Sequence, residues 1–120
     1  MTVSFAQAKA EVVASITDEV VAAGAPVFDH DPTPGNPPRF YVAVTFGGLN
    51  ALDWLIAVRV YSSPENDVKA GEDLAAAAIH AVEDALGPDV PRSVWTPLTW
   101  DPVLQLLIAE TVVQVPREDF

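Results

Sequence analysis

The residues best equipped for chemistry are Asp29-His30-Asp31, where two carboxylates flank an imidazole. Such a trio could ligate a divalent metal. It sits in a proline-rich segment, and no second ligand cluster with recognisable spacing accompanies it. A surface turn or contact loop is the better reading. His80 falls near Asp73, Glu83 and Asp84 at helical spacing. It reads as an exposed histidine with helpful carboxylates, because a general base needs a pocket and a substrate-facing position. In Glu72-Asp73 and Glu83-Asp84, neighbours on a helix diverge by about 100°, so neither pair converges as a dyad. Both read as a solvated helix face. Gly47-Gly48 lacks the Lys-Ser/Thr and the helix start of a phosphate loop. Trp54, Trp95 and Trp100 could stack on bases, but only beside basic grooves. The cations Lys9, Arg39, Arg59, Lys69, Arg92 and Arg117 are instead scattered singly. Trp54 shares an alternating face with Ile56 and Val58 and reads as core. Trp95 and Trp100 read as core or as anchors of a subunit contact.

The elements that would position these groups follow from the apolar pattern. Residues 4–23 read as a helix with a Ser4/Gln7 capping box. Phe5, Val12, Ile16 and Val20 form its core stripe, and Gly24 and Pro26 stop it. Residues 25–39 carry five prolines and read as a semi-rigid surface strap, with Val27-Phe28 touching a sheet edge. Residues 40–46 and 52–61 alternate as a hairpin turned by Gly47-Gly48-Leu49-Asn50. Phe40, Val42, Val44 and Phe46 lie on one face with Trp54, Ile56, Val58 and Val60. The opposite face, from Tyr41 and Ala43 to Leu55, Ala57, Arg59 and Tyr61, is too apolar for free solvation. Something in the monomer covers it, or a neighbouring subunit does.

Residues 64–86 read as a second helix, with Ser63 as N-cap, Pro64 at N1, and Glu65 and Asp67 on the helix dipole. Its stripe is Leu74, Ala78, Val82 and Leu86, widened by Ala75 and Ile79. Gly71 weakens its first turns, and Gly87-Pro88 ends it. Residues 93–99 and 104–115 form a second hairpin, turned at Trp100-Asp101-Pro102, with Pro97 marking an edge strand. The last strand is apolar on both faces at its start, so it is central or doubly covered. Residues 116–120 read as a frayed tail. The expectation is one α+β domain over residues 1–120. It has a mixed, mainly antiparallel sheet of about four strands with two helices on one face, in the order α-β-β-α-β-β.

Composition narrows the function. The chain has 120 residues, 17 acidic against 6 basic, and a net charge of −11. That balance argues against gripping nucleic acid. The absence of cysteine removes disulfides, thiolate zinc sites and a cysteine nucleophile. Lys9, Glu11, Asp18 and Glu19 interrupt the N-terminal stretch, which does not read as a secretory signal. The apolar runs fall short of the ~20 residues of a membrane helix, so a soluble protein without membrane contact is expected.

Three stretches resemble the tail terminator, or tail completion, proteins of long-tailed bacteriophages. GAPVFDHDPTPGNPPRFYVAV at 24–44 is similar to the end of that family's first helix, its strap and its first sheet strand. DWLIAVRVYSSPENDVKAGEDLAAAAIHAVEDALG at 53–87 resembles the following strand, acidic break and alanine-rich helix. TVVQVPRE at 111–118 resembles the final strand. The resemblance implies a structural virion protein with no catalytic residue, metal or cofactor. It implies a hexameric ring that caps the head-proximal end of the tail tube and ends tube polymerisation. Its partners would be the tail tube protein and a neck or head-completion protein, with DNA passing through the lumen unbound. Assembly would occur in the host cytoplasm. Candidate contact residues are Asp29, His30, Tyr41, Leu55 and Tyr61. The alternatives are another head–tail connector or neck protein, an acidic DNA-mimic inhibitor of a host nucleic-acid enzyme, and a small enzyme of ferredoxin-like shape. The last lacks converging His, Arg, Lys or Ser groups.

Overall fold

The computed structural model describes residues 2–32, 38–64 and 67–118. Glu65, part of the strap prolines and the last two residues of the tail lie outside them, so the expectations placed there have no structural counterpart. The first helix, α1, spans Phe5–Ala22. Ser4 Oγ accepts from the Gln7 amide at 3.1 Å, and Gln7 Oε1 accepts from the Ser4 amide at 2.8 Å. This reciprocal pair satisfies two N–H groups that the helix itself leaves unbonded. Ala8, Val12, Ile16 and Val20 form its buried stripe. Gly24, at φ 102°, takes the left-handed step that ends it.

Two residues of β1, Val27–Phe28, pair in parallel with β2, Phe40–Leu49. β2 pairs antiparallel with β3, Asp53–Ser62. After α2, Val68–Leu86, come the short β4, Thr99–Asp101, and the long β5, Leu106–Pro116. The sheet order is β1-β2-β3-β5-β4. The α+β architecture and mixed sheet therefore hold, with five strands instead of four because β1 is a true strand. β5 lies between β3 and β4, and it is apolar on both faces because Leu106 and Ile108 join a second buried cluster while Val113 and Val115 join the main core. Its register is fixed by pairs such as Val60↔Ala109 and Ile56↔Val113.

Both helices cover one face. Val42, Val44, Ile56, Val58, Val60, Val113 and Val115 meet Ile16, Val20, Ala78 and Val82 in the main core. Each such valine or isoleucine contributes about 1.5–3 kcal/mol of burial. On α2 the small residues Gly71, Ala75 and Ala78 are buried with Val82 and Leu86, so the helix lies close to the sheet. Leu74, expected on the stripe, is instead 41% exposed.

Three boundaries differ from the sequence reading, each for a local reason. The first hairpin does not turn at Gly47-Gly48. β2 runs on through a bulge between Phe46 and Gly48, and the chain reverses where Asn50 Oδ1 accepts from the amides of Leu52 and Asp53 at 2.9 and 2.7 Å. Gly47 is needed for close approach, since a Cβ there would lie 3.0 Å from the Leu55 carbonyl oxygen. α2 is capped by Asp67, whose Oδ1 accepts from the Ala70 amide, not by Ser63. Pro64 instead packs across Gly71, while Ser62 Oγ donates to the Gly71 carbonyl at 2.8 Å. In the second hairpin only Thr99–Asp101 is regular strand. Trp100 and Asp101 belong to it, and the turn follows, held by Asp101 Oδ1 accepting from the Val103 and Leu104 amides. The preceding segment follows β5 through irregular bonds, among them Ser93 N–H to the Val112 carbonyl and Thr96 N–H to the Glu110 carbonyl, both 2.9 Å.

Candidate functional site

Most charged side chains of the helical layer are acidic, while Arg59, Asp53, Asp101 and Glu110 lie in strands. The helices expose Glu11, Asp18, Glu19, Glu72, Asp73 and Asp84. Lys69 Nζ meets Asp73 at 2.8 Å, and that hydrogen bond raises the lysine above its ordinary pKa. His80 Nε2 lies 3.2 Å from Asp84 on the exposed surface, as the helical spacing implied. Exposed pairs of this kind contribute little to stability.

Glu83 departs from the solvated-face expectation. It is half-buried and accepts from Arg92 through Nε, at 2.9 Å, and Nη2. Its other oxygen accepts from Trp95 Nε1 at 2.5 Å. Arg92 Nη1 also donates to the Gly87 and Val90 carbonyls, both at 2.8 Å. One carboxylate thus ties the end of α2 to the segment running along β5. The Arg92 hydrogen bond is the main reason its carboxyl falls below the ordinary value; partial burial opposes the shift and the Trp95 bond adds to it.

The five sequence-selected contact residues do not form one surface. Asp29 and His30 are exposed at the start of the strap, with His30 Nδ1 2.9 Å from Asp29 Oδ1. That bond holds the Asp29 carboxyl below the usual range. Among the described residues no group of three or more acidic, histidine or cysteine side chains is placed to hold a metal. Tyr41 and Tyr61 face each other across β2 and β3, stacked at 4.5 Å with planes 12° apart. Phe28 meets Tyr41 edge-on at 5.7 Å. With Ala43 and Leu106 the two tyrosines form a second core, flanked by Phe28, Leu104 and Ile108.

The monomer itself therefore covers this part of the second sheet face. Tyr41 and Tyr61, 0% and 2% exposed, are not presented to a partner. Burial pushes the Tyr41 phenol up to about 12, and its hydroxyl has no hydrogen-bond partner among the described residues. Burial also raises Tyr61, opposed by the nearby Arg59 guanidinium. Arg59 in turn donates to Glu110 at 2.9 Å across β3 and β5, and that bond chiefly raises its own pKa. Leu55 lies on the other half of this face and is half-exposed.

The sequence reading missed where the exposed apolar side chains collect. Phe46, Leu49 and Leu52 stand at the β2–β3 hairpin end, 57%, 49% and 72% exposed. They are backed by an aromatic cluster in which Phe5 lies 5.2 Å from Phe46 and 5.8 Å from Trp54. Trp54 is half-buried and donates to the Val3 carbonyl at 2.7 Å, as its core reading implied. Trp95 is partly buried against the main core, while Trp100 is 48% exposed. A shallow cleft of about 300 Å³ includes Arg39, Ser63 and Asp67. Among the described residues of that cleft Ser63 supplies the one hydroxyl, and its Oγ accepts from Arg39 at 3.0 Å.

The geometry defines an α+β domain with an acidic helical layer and exposed apolar side chains at the β2–β3 hairpin end. No protein-family model matches the chain, and no curated protein matches it either. Among the described residues, no helix is long and apolar enough to cross a membrane.

Proposed function

We propose that this chain is a structural subunit of the tail-terminator type. It forms a ring that caps the head-proximal end of a phage tail tube, ends tube growth and presents a surface to the neck. The observation that carries the reading is the segregation of charge from adhesion. Carboxylates line the exposed sides of α1 and α2, while the run from residue 40 to 52 carries no charged side chain and exposes Phe46, Leu49 and Leu52. A subunit that binds copies of itself around passing DNA needs both properties. Apolar area drives association, and carboxylates keep phosphates from sticking. The resemblance of residues 24–44, 53–87 and 111–118 to terminator proteins points the same way. Asp29 and His30, exposed on the strap, remain contact candidates, as does Leu55. The account predicts that the acidic helix surface or the strap carboxylates contribute to the lumen.

A direct test adds the purified protein to polymerising tail-tube protein and follows tube length by negative-stain microscopy. Shortened tubes carrying a terminal ring support the reading; tubes of unchanged length count against it. The acidic helical layer also favours a second reading, a DNA-mimic inhibitor. That reading predicts a monomer or dimer that binds a basic host enzyme and is released by salt.

A further inference from the structure

We propose that the cleft where α1, the end of α2 and β5 meet receives a lysine or arginine side chain of another protein. The cleft encloses about 350 Å³. That is the small end of the range for binding pockets, the scale of a side chain rather than a large cofactor. Val12, Leu86, Val113 and Val115, all buried, form its floor. Glu11 and Asp89, both exposed, add two carboxylates to its lining. The segment that carries Asp89 is held in place. Gly87 turns the chain at a φ of 73° as α2 ends. Arg92 Nη1 donates to the Gly87 and Val90 carbonyls at 2.8 Å, and the Gln114 amide donates to the Pro91 carbonyl at 2.9 Å. A rim fixed before binding loses less conformational freedom when it is occupied. Phe46, Leu49 and Leu52 do not line the cleft, so it stands or falls apart from the ring reading.

Charge complementarity identifies the occupant. Among the described residues no basic side chain lines the cleft. The six cations of the chain are engaged elsewhere. Arg39, Arg59, Lys69 and Arg92 bond Ser63, Glu110, Asp73 and Glu83. Lys9 and Arg117 sit over the rings of Phe5 and Trp54. A second copy brings the same engaged cations and a net charge of −11, so it is repelled rather than drawn in. Phosphates are repelled by both carboxylates. A divalent cation needs a shell of about six oxygen ligands, and among the described residues no three acids or histidines gather to supply one. A lysine or arginine side chain meets both features of the cleft. Its aliphatic stem lies on the apolar floor while its charged head reaches the carboxylates and water. The excess of acid on the whole chain steers a basic partner toward it.

The probe is a fluorescein-labelled pentapeptide of alternating lysine and leucine, titrated into the full chain and followed by fluorescence anisotropy. Glu11→Gln and Asp89→Asn, singly and together, remove the carboxylates while keeping side-chain size. Asp18→Asn with Glu72→Gln removes the same charge at exposed positions outside the cleft. Circular dichroism melts verify that every variant folds. The double cleft variant should bind at least about tenfold more weakly than the parent, and the control pair should stay within about twofold. Acetylating the peptide lysines should cost as much as the double cleft variant does, and added salt should weaken the unmodified peptide. Equal losses in the two double variants mean that net charge alone attracts the probe, and they overturn the inference. So does an acetylated peptide that binds as well as the unmodified one, or a parent protein that shows no saturable binding. Tube capping by the parent protein is read in a separate assay, so the ring reading and the cleft can each fail without the other.

Discussion

Tyr41 gives the sharpest test of the packing. Its hydroxyl is fully buried with no partner among the described residues, whereas the Arg59 guanidinium lies near its stacking partner Tyr61 and opposes the rise of that phenol's pKa. A buried donor without a partner costs about 1–3 kcal/mol in lost hydration. Tyr41→Phe deletes that cost and keeps the ring, its 4.5 Å stack on Tyr61 and the edge contact from Phe28. The deletion also forfeits the dispersion contacts of one oxygen, at about 0.1–0.2 kcal/mol each. The net expectation is a gain of about 1 kcal/mol. At about 2.1 cal/mol/K per residue, unfolding entropy for 120 residues makes that a rise of about 4 °C in melting temperature. Tyr61→Phe removes a hydroxyl that has the Arg59 cation nearby and should bring no comparable gain. The assay is paired thermal and urea unfolding of both variants and the parent. A Tyr41→Phe protein less stable than the parent by 0.5 kcal/mol or more, an order-of-magnitude threshold, would refute the reasoning. It would mean that the hydroxyl is satisfied.

Other consequences are as direct. Glu83→Gln should cost about 1–2 kcal/mol by weakening the bonds from Arg92 and Trp95, and the tryptophan emission should shift as Trp95 loosens. In the parent, the depressed Glu83 pKa stabilises the fold fully above the ordinary value of 4.5, and the contribution is lost as pH falls through the lowered one. The variant should show a flatter acid limb, and identical limbs would contradict this. Both tyrosines have raised pKa values, so their stabilisation is complete below 10, the usual phenol value. For Tyr41 it is lost as pH climbs toward about 12. Phenolate absorbance should therefore lag that of the unfolded chain, and melting temperature should fall over this window. Gly71→Ala would place a Cβ 2.7 Å from Pro64 Cα. The clash, about 1–3 kcal/mol, should outweigh the gain of about 1 kcal/mol in helix propensity, so a more stable alanine variant would count against the Pro64 packing. A cryo-EM ring should show an acidic bore, and a basic one would contradict the charge argument.

Much of the fold was legible because its causes are local. The capping box at Ser4 and Gln7, the glycine stop at Gly24 and the alternation from Val42 to Val60 each depend on residues close in sequence. The errors came where a side chain competed with a familiar signal. Asn50 turns the first hairpin through its own carbonyl oxygen, which freed Gly47 for the bulge. Asp101 does the same in the second hairpin and moves the turn past Trp100. Asp67 caps α2 because Pro64 is engaged against Gly71.

The contact residues were less legible because their surroundings are set by distant chain. The pattern around Tyr41 and Tyr61 left two covers open, the monomer or a neighbouring subunit, and Phe28, Leu104, Leu106 and Ile108 enclose them within the monomer. Glu83 reads as one more acid on a helix until Arg92 and Trp95, nine and twelve residues on, fold back to it. The exposed apolar side chains at the first hairpin's end had a visible signal in the uncharged run at 40–52, though their exposure depends on where β1 ends.

The central claim is that this acidic domain works as a self-associating ring subunit on a tail tube. Native mass spectrometry of the purified protein, alone and with its tail-tube protein, tests it most directly. The account predicts a closed oligomer, with six copies as the expected number, that attaches to tube ends. A protein that stays monomeric and ignores the tube would contradict it.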